Sequence, residues 1–324
     1  ELGLIPPQFN YEKQMIDFYL TQIAGYYDPE KKHFIMASWM PAIMQQPIAV
    51  HELTHALQDQ YYDLENYLNQ KKQTTDQSLA RSALIEGDAT AVMLDYTRQL
   101  AGQKSIARDA DVSSFMLQNV MGVSMLAGSA GVPRSMQMLM LFPYTSGLRY
   151  VHALLKKGGF SEVDKAFRRA PRSCEEILHP EKFFLSKQDF QAVTKEELTS
   201  MVAKGYTRSY YDSLGEFVIS LVLNGNGIDQ SLASKAAAGW GGDGIALFEN
   251  EETKQKLIIW KTLWDSSKDR QEFFGALKSG LLKRYPKYEV QSSTDSLSLS
   301  STVRTIELKA VNNEVLLKIL IKES

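Results

Sequence analysis

The stretch Pro47-Ile48-Ala49-Val50-His51-Glu52-Leu53-Thr54-His55-Ala56-Leu57-Gln58-Asp59-Gln60 decides how this chain is read. Its apolar spacing predicts a helix over residues 47–64, with Pro47 in the first turn, where a missing N–H costs little. Each helical residue advances about 100°, so His51 and His55 point nearly the same way and can offer two imidazole nitrogens to one ion. Glu52 lies beside them, too short a step along the helix to ligate comfortably but well placed to take a proton from water activated at that ion. Ile48, Val50, Leu53 and Leu57 are read as the apolar contacts of a buried helix.

A catalytic zinc takes three protein ligands and keeps a fourth position for water. A glycine three residues after His55 and a histidine three further on would mark the metzincin arrangement; Gln58 and Tyr61 stand there and exclude it. The alternative is a glutamate from a following helix. Residues 77–100 read as a strongly amphipathic helix, and it carries Glu86-Gly87-Asp88-Ala89, 31 residues after His55. Leu84, Ile85 and residues 89–93 make this stretch largely buried, where free charges are costly. Glu86 is therefore the favoured third ligand. Asp88 is the reserve ligand or a partner for a histidine ring, and Gly87 removes a side chain so that the two helices can approach closely.

Around this centre the chain reads as ordinary globular material. Its 324 residues suffice for one large domain or two modest ones, and 44% hydrophobic with 23% charged residues argues against disorder. A net charge of -2 gives no footprint for nucleic acid. The single cysteine, Cys174, cannot close an intrachain disulfide. No run approaches the roughly 18 apolar residues of a membrane span. Because the chain starts at Glu1 without a basic and apolar leader, an export signal removed upstream is the expectation, and with it an extracytoplasmic location. The sequence leaves the oligomeric state open.

Upstream, residues 11–23 space Met15, Ile16, Phe18, Tyr19 and Ile23 like one helical face, and Gly25 breaks it. Tyr26-Tyr27 and residues 33–36 then flank an Asp28-Pro29 turn as two short strands. Downstream, residues 111–158 form two or three apolar helices cut at Gly128, Gly131 and Pro133. They hold Met116, Met121, Met125, Met136, Met138 and Met140, read as core packing in preference to a permissive groove. Short helices at 163–169 and 174–178 precede a longer one over 195–223 with a break near Gly205. Lys156-Lys157 and Arg168-Arg169 read as solvated faces. From Gly239 the composition changes. Gly239-Trp240-Gly241-Gly242-Asp243 lacks the lysine and Ser/Thr of a phosphate loop and reads as a tight turn packing Trp240 at a domain junction. Strands at 245–248 and 256–260, a helix over 268–282 and a final hairpin, 303–309 and 315–321 joined through Asn312-Asn313, complete an α+β region. The serine-rich 292–301 reads as an exposed loop. The fold class expected is α+β: a mostly helical region over 1–210 with a small edge sheet, and an α+β region over 211–324 packed on it.

His51-Glu52-Leu53-Thr54-His55, followed by Glu86-Gly87-Asp88-Ala89, resembles the gluzincin group of zinc metallopeptidases, closest to a set of uncharacterised bacterial zincin-like proteins. The resemblance extends to Gly25-Tyr26-Tyr27-Asp28-Pro29, Phe142-Pro143-Tyr144, Ile177-Leu178-His179-Pro180 and Gly239-Trp240-Gly241-Gly242-Asp243. It lacks the Asn-Glu-x-x-Ser-Asp motif of thermolysin-like enzymes, so their substrate rules do not transfer.

The resemblance implies a zincin-like catalytic fold over 1–210 with Zn2+ on His51, His55 and Glu86, a peptide or protein substrate lying along the 26–36 edge strand, and hydrolysis with Glu52 as general base. It also implies an oxyanion donor, commonly a tyrosine or histidine. Tyr144, after Pro143 near a helix break, and His179, before Pro180 at a helix end, are the candidates; a buried structural hydroxyl and a capping histidine are the equal alternatives. His152, inside an apolar helix, reads as core. Two other functions stay open: a catalytically inactive scaffold that binds a peptide or partner, and a zinc amidase acting on cell-wall amides.

Overall fold

A computed structural model describes residues 1–10, 12–14, 16, 25–38, 41–69, 71, 73–115, 131–185 and 190–322. Most of the helix expected over 11–23, together with Met116, Met121, Met125 and Gly128, lies outside these residues. The chain is α+β. Its contacts divide it into two units, Ile5–Gln73 with Gln77–Leu185, and Ser186–Ser324 with Glu1–Leu4 and Thr74–Asp76. A boundary at 210/211 would cut through the strand Thr207–Asp212, so the division belongs near residue 185 instead. Thr74–Asp76 joins the second unit for a local reason: Thr75 N donates to Asp212 Oδ1 at 2.7 Å and Asp76 N to Ser213 O at 3.2 Å.

The first unit opens with a hairpin of β1 (Gly25–Asp28) and β2 (His33–Met36), antiparallel with Tyr26 opposite Ile35. Asp28 Oδ1 accepts from Glu30 N and Lys31 N and so closes the turn. Helices α1 (Ala42–Tyr62), α2 (Leu64–Tyr67), α3 (Thr75–Leu100), α4 (Arg134–Gly158), α5 (Phe160–Arg169), α6 (Cys174–Leu178) and α7 (Pro180–Phe183) follow. α1 begins earlier than its sequence pattern suggests, so Pro47 sits inside it and not in the first turn. Pro143 likewise lies within an unbroken α4. From Ala80 to Ala91, α3 is buried on most sides, with Ala80, Ala83, Leu84, Ala89 and Ala91 wholly enclosed. A helix buried all round must satisfy every polar side chain from within the protein. His152 is core, its Nε2 3.0 Å from Ile106 O. Arg169, read as solvated, instead reaches Glu176 and the Phe183 carbonyl.

In the second unit, α8 (Lys195–Ser200), β3 (Thr207–Asp212), α9 (Gly215–Gly225) and α10 (Gln230–Ala237) lead into β4 (Trp240–Glu249), β5 (Lys256–Trp264) and α11 (Ser267–Arg284). β6 (Glu289–Ser292), β7 (Ser296–Ser300), β8 (Arg304–Val311) and β9 (Glu314–Ile321) complete a seven-stranded antiparallel sheet of order β3-β4-β5-β9-β8-β7-β6. The single helix expected over 195–223 is thus two helices around a strand, punctuated by positive-φ Gly205 and Gly215. Residues 296–300, expected in a loop, alternate serine with leucine and form β7; Leu297 and Leu299 are buried. Gly239-Trp240-Gly241-Gly242-Asp243 is no tight turn. Trp240 starts β4, and glycine is required there because a Cβ on Gly242 would meet Gln191 O at 1.9 Å. Asn312, with φ 53°, and Asn313 make the two-residue hairpin turn as read. β5 serves both faces of the sheet: Ile259 packs with Val193, Leu198 and Phe248, while Trp260 meets Phe273 of α11 edge to face at 5.8 Å.

Candidate metal centre

On α1, His51, His55 and Gln58 fall within about 60° of one another at roughly 100° per residue. Glu52 and Asp59 lie together to one side of them, Tyr61 to the other, and Leu53 and Leu57 opposite. Burial follows this division with the usual polarity reversed. Glu52, His55, Gln58 and Asp59 are buried, whereas Leu53 and Leu57 are each 54% exposed and Tyr61 75%. The expectation that Leu53 and Leu57 bury the helix is therefore corrected. The inward face can be polar because each of its groups has a partner on β1 or α3.

His51 Nε2 lies 3.0 Å from His55 Nε2 and 3.1 Å from Glu86 Oε2, and His55 Nε2 lies 3.4 Å from the same oxygen. Two donors on a tetrahedral ion with bonds of about 2.0–2.1 Å are about 3.3 Å apart, so these three separations fit one zinc-sized cation. Among the described residues, His51, His55 and Glu86 are the group that could hold a metal. Asp88 is not in that group. Its Oδ2 accepts from Gln58 Nε2 at 2.8 Å, and Gln58 Oε1 faces His55 Nδ1 at 2.9 Å. Asp88 thus meets His55 only through an amide that sequence reasoning passed over, although Gln58 stands three residues after His55 on the same helical face.

Burial and the neighbouring groups together set the charges of these side chains. Burial raises the Glu52 carboxyl above its usual range and the nearby Glu86 adds to this, while the two histidines and the backbone N–H of Tyr27 pull it back. Burial alone would lower His55, but the Glu86 carboxylate outweighs it and holds the ring above its ordinary value; Glu86 itself is held down, against its burial, by His55 and His51. Burial also pushes Asp88 up to about 6, with Gln58 opposing. Two carboxylates in one small polar enclosure are eased by a dication.

Glycines bring the remaining parts together. A Cβ on Gly25 would fall 2.7 Å from Ile48 Cγ2 and 3.3 Å from Glu52 Oε1, so β1 can lie against the Glu52 side chain only without one. Its neighbour Tyr27 donates its hydroxyl to Asp59 Oδ2 at 2.8 Å, fastening the hairpin to α1. A Cβ on Gly87 would meet the Gly147 backbone at 2.3 Å, and one on Gly147 would meet Ala83 O at 2.1 Å. The close approach expected at Gly87 is therefore between α3 and α4, not between the two helices that carry His51, His55 and Glu86. It brings α4 to the site, where the Tyr144 ring lies 6.3 Å from that of His51 at an interplanar angle of 22° and remains partly exposed. His179 sits between α6 and α7 with Nδ1 3.9 Å from Glu181 Oε1.

A family model described as a domain of unknown function, DUF8575, matches residues 201–313. This segment lies within the second unit and contains none of His51, Glu52, His55, Glu86, Tyr144 or His179. No curated protein and no solved structure matches the chain. No described helix is long and apolar enough to cross a membrane.

Proposed function

We propose that the chain is a zinc-dependent peptidase of gluzincin type, with His51, His55 and Glu86 as ligands and Glu52 as general base. The observation that carries this reading is the convergence of three donor atoms at 3.0, 3.1 and 3.4 Å beside a buried glutamate of raised pKa. A zinc ion held by His51, His55 and Glu86 would supply Lewis acidity, lowering the pKa of water toward about 7 and polarising a substrate carbonyl. Glu52 accepts the proton of the attacking water and passes it to the leaving amide nitrogen; its raised pKa suits a group that must both take and return a proton. β1, one strand of the two-stranded hairpin, is the edge along which an extended peptide can pair. Tyr144 is favoured over His179 as oxyanion donor, since its ring stacks beside that of a ligand.

The test combines metal analysis of protein purified without chelator with a screen of peptides and peptidoglycan fragments. About one zinc per chain is expected, with peptide hydrolysis that Glu52→Gln reduces by at least about 100-fold while leaving zinc content unchanged. Absence of zinc removes the reading. A biological effect that survives Glu52→Gln makes the chain a binding scaffold, and cleavage of cell-wall amides alone changes the bond.

A further inference from the structure

We propose that Gln58 and Asp88 act as a positioning pair that fixes which nitrogen of His55 faces the metal; this rests on the metal-site reading above. Gln58 Nε2 lies 3.1 Å from Ile85 O and 2.8 Å from Asp88 Oδ2. Both are acceptors, so the end of the amide that faces them must be its NH2. That leaves Oε1, a pure acceptor, 2.9 Å from His55 Nδ1. Nδ1 must then carry a hydrogen, and Nε2, which faces His51 and Glu86, is the nitrogen free to ligate. Gln58 and Asp88 are both buried, at 4% and 7% exposure, so bulk water has little access to either end of the amide.

The design differs from a carboxylate placed directly on the imidazole. Here His55 meets a neutral acceptor, and the negative charge stands one residue further away, where it holds the amide against flipping. Asp88 also comes from α3, two residues after Glu86. The same short stretch therefore supplies one ligand and orients another, which ties the placement of His55 to that of Glu86.

The test uses the full chain and zinc alone, with affinity read by chelator competition and the ligand field read from the visible spectrum after cobalt(II) substitution. Gln58→Met, which keeps the length and removes both polar ends, is expected to weaken zinc binding by about 10- to 100-fold and to shift the cobalt spectrum. Asp88→Ala, which removes one of the two acceptors that hold the amide's NH2 and leaves only Ile85 O, is expected to weaken binding by about 10-fold, and Asp88→Asn, which keeps an acceptor for Gln58, to restore it to within about threefold. If Gln58→Met does not fold, as judged by circular dichroism, the Asp88→Ala and Asp88→Asn pair decides. Wild-type affinity and an unchanged spectrum in Gln58→Met, or equal affinities for the two Asp88 variants, overturn the proposal while leaving the metal site standing. A wild-type chain that takes up no zinc overturns both.

Discussion

At the scale of single residues, the site depends on polar groups whose partners are all supplied from within. Tyr144 is the sharpest case for function, because its ring stacks beside that of His51 while the residue stays 44% exposed. Tyr144→Phe is expected to lower kcat for a hydrolysed peptide by about 100-fold with little change in KM, as the loss of an oxyanion donor does. Asp59 is the sharpest case for stability. Its burial would raise the carboxyl, but hydrogen bonds from Lys32 Nζ at 2.6 Å, Tyr27 Oη at 2.8 Å and Leu64 N at 3.2 Å hold it below the usual carboxylate range. A depressed folded-state pKa adds stability above the unfolded value, near 3.8, and that contribution is lost as pH falls through the folded value. Asp59→Asn is therefore expected to be less stable than wild type at pH 7 by on the order of 1–3 kcal/mol, with the gap closing below about pH 4. Urea denaturation at several pH values measures it.

Elements are placed mainly by what they lack. α3 and α4 meet backbone to backbone at Gly87 and Gly147, and the crossing sets where Tyr144 arrives. In Gly147→Ala the new methyl would lie 2.1 Å from a backbone oxygen that no side-chain rotation can move. A loss of on the order of 3 kcal/mol is expected in chemical denaturation, a cost at the upper end for overpacking. If the variant unfolds like wild type, the crossing is looser than described. Local pattern encodes some elements and not others, for related reasons. The period of 3.6 on α1 and α3 and the Asn312-Asn313 turn were visible in sequence, because local geometry alone dictates them. β3 and β7 were not. Thr207–Asp212 carries no clear alternation, and Ser296–Ser300 reads as polar until its two leucines are seen to face the core.

On the scale of the whole chain, the second unit is organised around a buried carboxylate. Asp243 accepts from Ser213 Oγ, Gly215 N and Trp240 Nε1 on one oxygen and from Leu214 N and Trp260 Nε1 on the other, at 2.9–3.2 Å. Burial pushes its pKa up and these donors oppose it. Asp243→Ala would leave the donors buried without their acceptor, and a loss of on the order of 3–5 kcal/mol is expected. Tryptophan fluorescence during denaturation reports it directly, since Trp240, Trp260 and Trp264 all belong to this unit. An unchanged midpoint would show that the donors find other partners.

The sequence by itself determined the α+β class and the shared face of His51 and His55, and it singled out Glu52 and Glu86 as their candidate partners, because a helix repeats every 3.6 residues and two histidines four apart must share a face whatever surrounds them. Tertiary structure alone decided that Asp88 serves Gln58, that α4 brings Tyr144 to His51, and that the polar side of α1 faces inward. These are contacts between segments 30 to 93 residues apart along the chain. No local period encodes them, and they arise only once the glycines have let the backbones close.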